Sequence, residues 1–147
     1  MNDLRHPIHI TLLGDSIFDN AAYTRGEPAV VDHLQSLLGP SGTATLRAVD
    51  NAVTRQVVYQ LEDLPVRTTH LVISSGGNDT LQHIDLLLRS APTVSDALDQ
   101  LREPLALFER DYRAPLGQVP RLGISTWCFT IYNGILEAPH PRTTPMR

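Results

Sequence analysis

Two short polar motifs each follow an apolar stretch of the chain, and their residues could together perform a nucleophilic reaction. In the first motif, residues 14–20, Ser16 supplies a hydroxyl, and in the second, residues 76–79, Asn78 supplies a side-chain amide. A serine that attacks a carbonyl needs hydrogen-bond donors aimed at the oxyanion that forms, and glycine backbone amides and asparagine side chains are such donors. The two motifs therefore contain the parts of a serine nucleophile with an oxyanion hole.

The position of the two motifs along the chain favours this interpretation. The apolar runs before them, residues 8–13 and 70–75, are typical of buried strands in a parallel sheet. In open α/β sheets the site lies beyond the carboxyl ends of the strands, where both motifs would then emerge. Taken singly, Ser16 could cap a turn and Asn78 could be a turn residue. Their combination favours a shared site.

The rest of the chain alternates between strand and helix patterns. Further strands are predicted at residues 43–49 and 121–131. One helix is predicted to begin at Glu27 and to end just before Gly39, and others at 54–63 and 80–89. A capping box of Thr93 and Asp96 predicts the start of a further helix, which Pro104 is expected to kink or divide. Strands that alternate with helices predict an α/β fold with three layers, α/β/α.

The blocks Gly14-Asp15-Ser16-Ile17 and Gly76-Gly77-Asn78-Asp79 resemble those of the SGNH or GDSL hydrolases, which are serine esterases and acyl hydrolases. The resemblance runs from Ile8 to Asn133. It implies a flavodoxin-like parallel sheet and cleavage of carboxylic esters through an acyl-serine intermediate, without a metal or cofactor. Ser16 would be the nucleophile in this reaction.

The resemblance also implies which groups would hold the oxyanion. They are the backbone N–H of Ser16, a backbone N–H near Asn51 and the side-chain amide of Asn78. The family has glycine where this chain has Asn51, and asparagine is among the residues that best tolerate a positive φ. Loop support would come from the remaining residues of the two blocks: Asp15, Gly76, Gly77 and Asp79.

The sequence does not clearly identify which of the six histidines would be the general base. His140 follows Glu137 in a segment that resembles the family's Asp-x-x-His block, with glutamate in place of aspartate, and a carboxylate so placed can orient the imidazole. Chance resemblance in a proline-rich tail is the alternative. His83 follows the second motif and could line the pocket or lie on the surface. The other four are expected to be structural or solvent-facing.

The pattern predicts one hydrolase-like domain over residues 1–133 and an irregular tail over 134–147. About four strands are recognisable, whereas the family has a fifth. We therefore hypothesise that the chain is truncated or read out of frame near Asn133, which would leave the fourth strand as an exposed apolar edge. The alternative function is a truncated or degenerate, non-catalytic domain that at most binds acyl or glycan ligands.

Composition limits the partners. The net charge of −4 and the absence of lysine argue against nucleic-acid binding, and no apolar run is long enough to span a membrane. The single cysteine, Cys128, excludes an intrachain disulfide and is expected to be buried in a strand. No metal-ligand spacing is present. The predicted partner is a small-molecule ester. The predicted compartment is the cytoplasm, because no signal peptide is recognised. A third possible class, a flavin- or nucleotide-binding module, would share the fold but would leave the paired motifs unexplained.

Overall fold

A parallel sheet forms the centre of the molecule. The computed structural model describes residues 7–131 of the 147-residue chain. Within them the strands are β1 (Ile8–Gly14), β2 (Gly42–Leu46), β3 (His70–Ser74) and β4 (Ser125–Phe129). All pairs are parallel and the order is β2-β1-β3-β4. This is the beginning of the flavodoxin-like order, so the predicted α/β class is confirmed.

Helices cover both faces of this sheet. They are α1 (Val30–Leu38), α2 (Val57–Glu62), α3 (Gly77–Gln82) and α4 (Val94–Leu122), with 3-10 turns at Ala21–Tyr23, Gly39–Ser41, Thr54–Gln56 and Ile84–Leu88. One core cluster joins Leu13 and Leu71 of the sheet to Val57 of α2. The other, around Leu12 on the opposite face, includes Val30 of α1. Because consecutive strand residues point to opposite faces, the two clusters define three layers.

The last register pairs bring the two motifs together. β1 and β3 are neighbours, and Gly14 at the end of β1 lies opposite Ser74 at the end of β3. Each motif begins at or just after its strand end, so parallel pairing places both at the same edge of the sheet.

Several predicted boundaries shift. β2 ends at Leu46, three residues before the predicted end, although the backbone N–H of Val49 still donates to the Gly14 carbonyl. The prediction of one helix at 54–63 is replaced by a 3-10 turn and the six-residue α2. The predicted helix at 80–89 begins earlier, at Gly77, and changes to 3-10 geometry after Gln82.

The largest error concerns the chain before β4. The capping box is confirmed, with the backbone N–H of Asp96 donating to Thr93 Oγ1 at 3.2 Å, but α4 is not divided at Pro104 and runs to Leu122. Residues 121–124 were therefore wrongly assigned to the fourth strand. Gly123, with φ 63° and ψ 22°, ends α4 in the left-handed conformation that glycine adopts without a Cβ penalty.

The prediction for Cys128 was wrong. Its side chain is exposed on β4, which within the described residues pairs with β3 alone. Trp127 and Phe129 of the same strand are about half exposed, at 51% and 50%. Partial burial still raises the pKa of the Cys128 thiol, so its thiolate population stays low near neutrality.

Two further expectations concern membrane-spanning helices and the C-terminal tail. None of the helices in residues 7–131 combines the length and the apolar character needed to cross a bilayer. The predicted tail at 134–147 and the end of the predicted domain at residue 133 lie outside the described residues.

Candidate active site

Ser16 lies on a tight turn that hydrogen bonds hold against β3. The backbone N–H of Asp15 donates to the carbonyl of Ser74 at 3.2 Å, which extends the β1–β3 contact by one bond. The carbonyl of Asp15 then accepts the N–H groups of Phe18 and Asp19, both at 3.1 Å, and its carboxylate Oδ1 accepts the N–H of Ile17 at 3.0 Å. The chain therefore reverses direction around Ser16, which is half-buried.

Gln60 of α2 supports this turn from beneath the sheet. Its buried carboxamide accepts the N–H of Gly14 at 2.7 Å and donates to the carbonyl of Gly14 at 2.9 Å. Both backbone groups of the residue two positions before Ser16 are thus fixed by one side chain. Sequence reasoning missed this residue, although a polar Gln60 beside the apolar Val57 and Leu61 was the available signal.

The side chain of Asn78 is oriented by a carbonyl of the neighbouring loop. Its Nδ2 donates to the backbone oxygen of Ala52 at 2.9 Å. A carboxamide nitrogen carries two hydrogens, so one remains to donate elsewhere. Asn78 is half-buried at the start of α3, and its second hydrogen is available to a group bound beside it.

A second set of hydrogen bonds fixes the loop that carries Ala52. One carboxylate oxygen of Asp79 accepts both the backbone N–H and the Oγ1 hydroxyl of Thr54, each at 2.9 Å. Thr54 Oγ1 also lies 2.8 Å from the buried hydroxyl of Ser75. Thr54 and Ser75 are buried and Asp79 is half-buried, and their hydrogen bonds link the loop after β2 to the loop after β3.

Asn51 adopts the left-handed backbone that the sequence suggested. Its φ is 61°, a value at which a glycine would be free of strain and an asparagine is tolerated. Among the described residues, no acceptor takes the backbone N–H of Asn51 or that of Ser16. The side chain of Asn51 is exposed.

A cavity of about 310 Å³ lies over the ends of β1 and β3. It brings together four of the predicted site residues: Ser16, Asn78, Asp15 and Gly77. The other lining residues are Ile17, Ser74, Ser75, Leu81, Phe129, Thr130 and Ile131. Asn51, Gly76 and Asp79 are not part of this lining.

No histidine of residues 7–131 lines this cavity. His83 is exposed and faces a larger neighbouring cavity. His9 lies 2.9 Å from the hydroxyl of Thr45, and His70 stacks on Trp127, with ring centroids 5.5 Å apart. His140 lies outside the described residues, so its role as base stays a prediction.

The carboxylates around the turn are engaged with protein donors. Asp15 and Asp79 accept hydrogen bonds from Ile17 and Thr54, and Asp19 accepts the backbone N–H of Asp50 at 2.8 Å. In the described part of the chain, no three histidine, cysteine, aspartate or glutamate side chains gather as a metal site would require. These aspartates brace the loops.

Burial raises the pKa of Asp15 above its usual value of 3.8, and the nearby charges of Asp79 and Asp50 add to this against the opposing effect of the Ile17 hydrogen bond. A raised pKa in the folded chain means that this group contributes stability below pH 3.8, and that the contribution is lost as pH rises through the folded pKa. The ionised carboxylate therefore costs stability at neutral pH.

We expect Asp15→Asn to raise the melting temperature at pH 7, because the amide keeps an oxygen for the N–H of Ile17 and carries no buried charge. The gain should shrink when the pH is lowered from 7 to 4, because the raised pKa lets the wild-type carboxyl take up a proton as the pH falls. Thermal unfolding at both pH values measures the difference. Asp99→Asn on the exposed side of α4 makes the same change in net charge, and an equal gain there would contradict the burial argument.

Comparisons with known proteins give structural matches only. No protein-family model matches the chain, and no curated protein matches it. Among solved structures, the extracellular lipase from Streptomyces rimosus matches with 19% identity and a TM-score of 0.49, over 82% of this chain and 58% of the lipase. This chain thus spans well under two thirds of that lipase.

Two further structures have similar statistics. The SGNH-hydrolase family esterase AlinE4 matches with 16% identity and a TM-score of 0.46, over 84% of this chain and 77% of the esterase. A GDSL-like lipase from Bacteroides thetaiotaomicron matches with 9% identity and a TM-score of 0.38, over 85% of this chain and 72% of the lipase. The fold class rests on this chain's own sheet.

Proposed function

We propose that this chain is a serine hydrolase domain that cleaves carboxylic esters of small molecules through an acyl-serine intermediate. Ser16 attacks the carbonyl carbon, and the oxyanion is held by the side-chain amide of Asn78 and by the backbone N–H groups of Ser16 and Asn51. A histidine, for which we propose His140, takes the serine proton and returns it to the leaving alcohol. Neither a nucleic acid nor a membrane is among the partners we propose.

One observation carries this proposal. Ser16 and Asn78 come from separate motifs and line the same small cavity. Hydrogen bonds of the neighbouring Asp15 hold the turn that carries Ser16, and a hydrogen bond to the Ala52 carbonyl orients the Asn78 side chain. The free hydrogen of the Asn78 amide and the N–H groups of Ser16 and Asn51, which no described residue accepts, are three donors without a partner. Fixed donors of this kind lower the barrier because they need no reorganisation as charge develops.

A second candidate function is binding without catalysis. It is favoured by the fact that no histidine among residues 7–131 lines the cavity with Ser16. A serine without a base is a weak nucleophile at neutral pH. The chain would then hold an acyl or glycan ligand without turning it over.

Intact-mass measurement after incubation with a fluorophosphonate separates the two functions. An activated Ser16 displaces fluoride from phosphorus, so the hydrolase gains one phosphonyl group per chain and Ser16→Ala gains none. Ser75→Ala is the matched control, because Ser75 lines the same cavity while its hydroxyl is engaged with Thr54. Labelling that survives in Ser16→Ala, or that is absent from folded wild-type protein, would contradict the hydrolase proposal.

The same measurement tests the base. We expect His140→Ala to remove the labelling and His83→Ala to retain it, because His83 faces the neighbouring cavity. The reverse result would assign the base to His83. The cytoplasmic compartment stays a prediction from the sequence.

A further inference from the structure

A second and larger cavity lies beside the serine cavity. Its volume is about 690 Å³, within the range of sites that bind small molecules. Apolar side chains of α4 and of the 3-10 turn Ile84–Leu88 form most of its walls: Leu101, Leu105, Phe108, Ile84 and Leu87. Charged side chains of Arg55, Asp79, Arg110 and Asp111 are also present in the lining.

Ile131 is shared by the two cavities. This residue lines both, and its side chain lies over Gly76 together with the ring of Phe108. A Cβ on Gly76 would come within 2.7 Å of Ile131 Cδ1 and 3.1 Å of the Phe108 ring. Because Gly76 has no side chain, the Ile131 side chain and the Phe108 ring can pack over it, beside the serine cavity.

Two leucines in the walls of the larger cavity are largely exposed. Leu105 and Leu87 are 61% and 72% exposed, so they contribute little to the core clusters of the sheet. Exposed leucines gathered around one concave surface are typical of a binding site. A flexible alkyl chain suits such a surface, because it gains free energy with each methylene that it buries and needs no hydrogen-bond partner.

From these observations we infer that the larger cavity binds the acyl chain of the substrate, so that the preferred substrates are esters of medium-chain fatty acids. The inference rests on the proposed function, since the acyl carbonyl must lie at Ser16. The carbonyl occupies the serine cavity, the chain passes Ile131, and its methylenes lie against Leu105 and Phe108. Short acyl groups leave the larger cavity empty and gain nothing from it.

A series of p-nitrophenyl esters from acetate to octanoate tests this inference. We expect kcat/KM to rise about fourfold for each added methylene that reaches the cavity. Leu105→Glu places a carboxylate in the wall and should lower the octanoate-to-acetate ratio about tenfold or more, because the acyl chain then displaces water from a charge. Leu98→Glu is the matched control: it lies on the same helix, is also 61% exposed and is not part of the lining.

Calorimetry with 1-octanol measures binding without any hydrolysis. We expect binding with a negative heat-capacity change in wild type and in Leu98→Glu, and its loss in Leu105→Glu. Hydrolysis without chain-length preference, or equal behaviour of the two glutamate variants, would overturn the inference and leave the proposed function intact. Octanol binding that Leu105→Glu removes, in a chain that hydrolyses no ester, would support the cavity as an alkyl site and count against the hydrolase. Absence of octanol binding to wild type would overturn the inference.

Discussion

Replacing Gly14 with alanine is expected to unfold the chain. A Cβ at this position would lie 1.7 Å from the carbonyl oxygen of Ser74 and 2.6 Å from its carbonyl carbon. The backbone φ of Gly14 is also 126°, which residues with a side chain rarely adopt. Both obstructing atoms belong to the β3 backbone, which cannot retreat without breaking its pairing with β1. We expect a loss of more than about 4 kcal/mol in the free energy of unfolding, which is exceptional for one methyl group.

Gly26→Ala is the control for this prediction. Gly26 also has a positive φ, 93°, but no atom lies within 4 Å of a Cβ built there. Its substitution should cost about 1 kcal/mol through backbone strain alone. Urea unfolding followed by far-ultraviolet circular dichroism compares the two, and similar midpoints would mean that the contact between Gly14 and Ser74 is not close.

Asn78→Ala is expected to lower ester hydrolysis by about 10² to 10³ in kcat while KM changes little, because the donor acts on the oxyanion and not on the ground-state carbonyl. The rate of fluorophosphonate labelling should fall with kcat, since that reaction also places negative charge on an oxygen beside Asn78. Steady-state kinetics and the time course of the adduct measure both effects.

The structural contribution of Asn78 has to be separated from its catalytic one. Asn78→Ala also removes the hydrogen bond to the Ala52 carbonyl, which lowers stability. Asn20→Ala removes a comparable bond, from the backbone N–H of Val30 to the side-chain oxygen, at a place outside the cavity. If in both variants the loss of activity is proportional to the decrease in melting temperature, the proposed oxyanion role of Asn78 is wrong.

The strands of the sheet could be predicted from the sequence because the residue patterns that indicate them are local. Apolar runs that end in glycine located β1 and β3 within one residue, and Thr93 with Asp96 located the start of α4. Pro104 was expected to kink or divide α4, but the helix continues through Pro104, Pro115 and Pro120 to Leu122. Packing explains this continuity, because Pro115 is buried and Val119 lies against a core cluster. Tertiary contacts there override the local preference.

The site was predictable only in part, for a related reason. Ser16 and Asn78 belong to motifs whose residue types indicate a nucleophile and an oxyanion donor. Their position in one cavity could therefore be predicted from the sequence. Gln60 and Thr54 have no such signature, because their roles come from hydrogen bonds to residues distant in sequence. The larger cavity could not be predicted either, because its leucines have the spacing of an ordinary apolar helix stripe. Their exposure is seen only in the folded arrangement of residues 7–131.

The central position of β1 in the sheet has a consequence for how the chain folds during synthesis. The turn around Ser16 leaves the ribosome before Gln60 and Ser74, whose hydrogen bonds fix it. A ribosome adds about 5–20 residues per second, so the emerging turn waits seconds for these partners. The arrangement around Ser16 therefore forms together with the β1–β3 core, and no early folding species presents it.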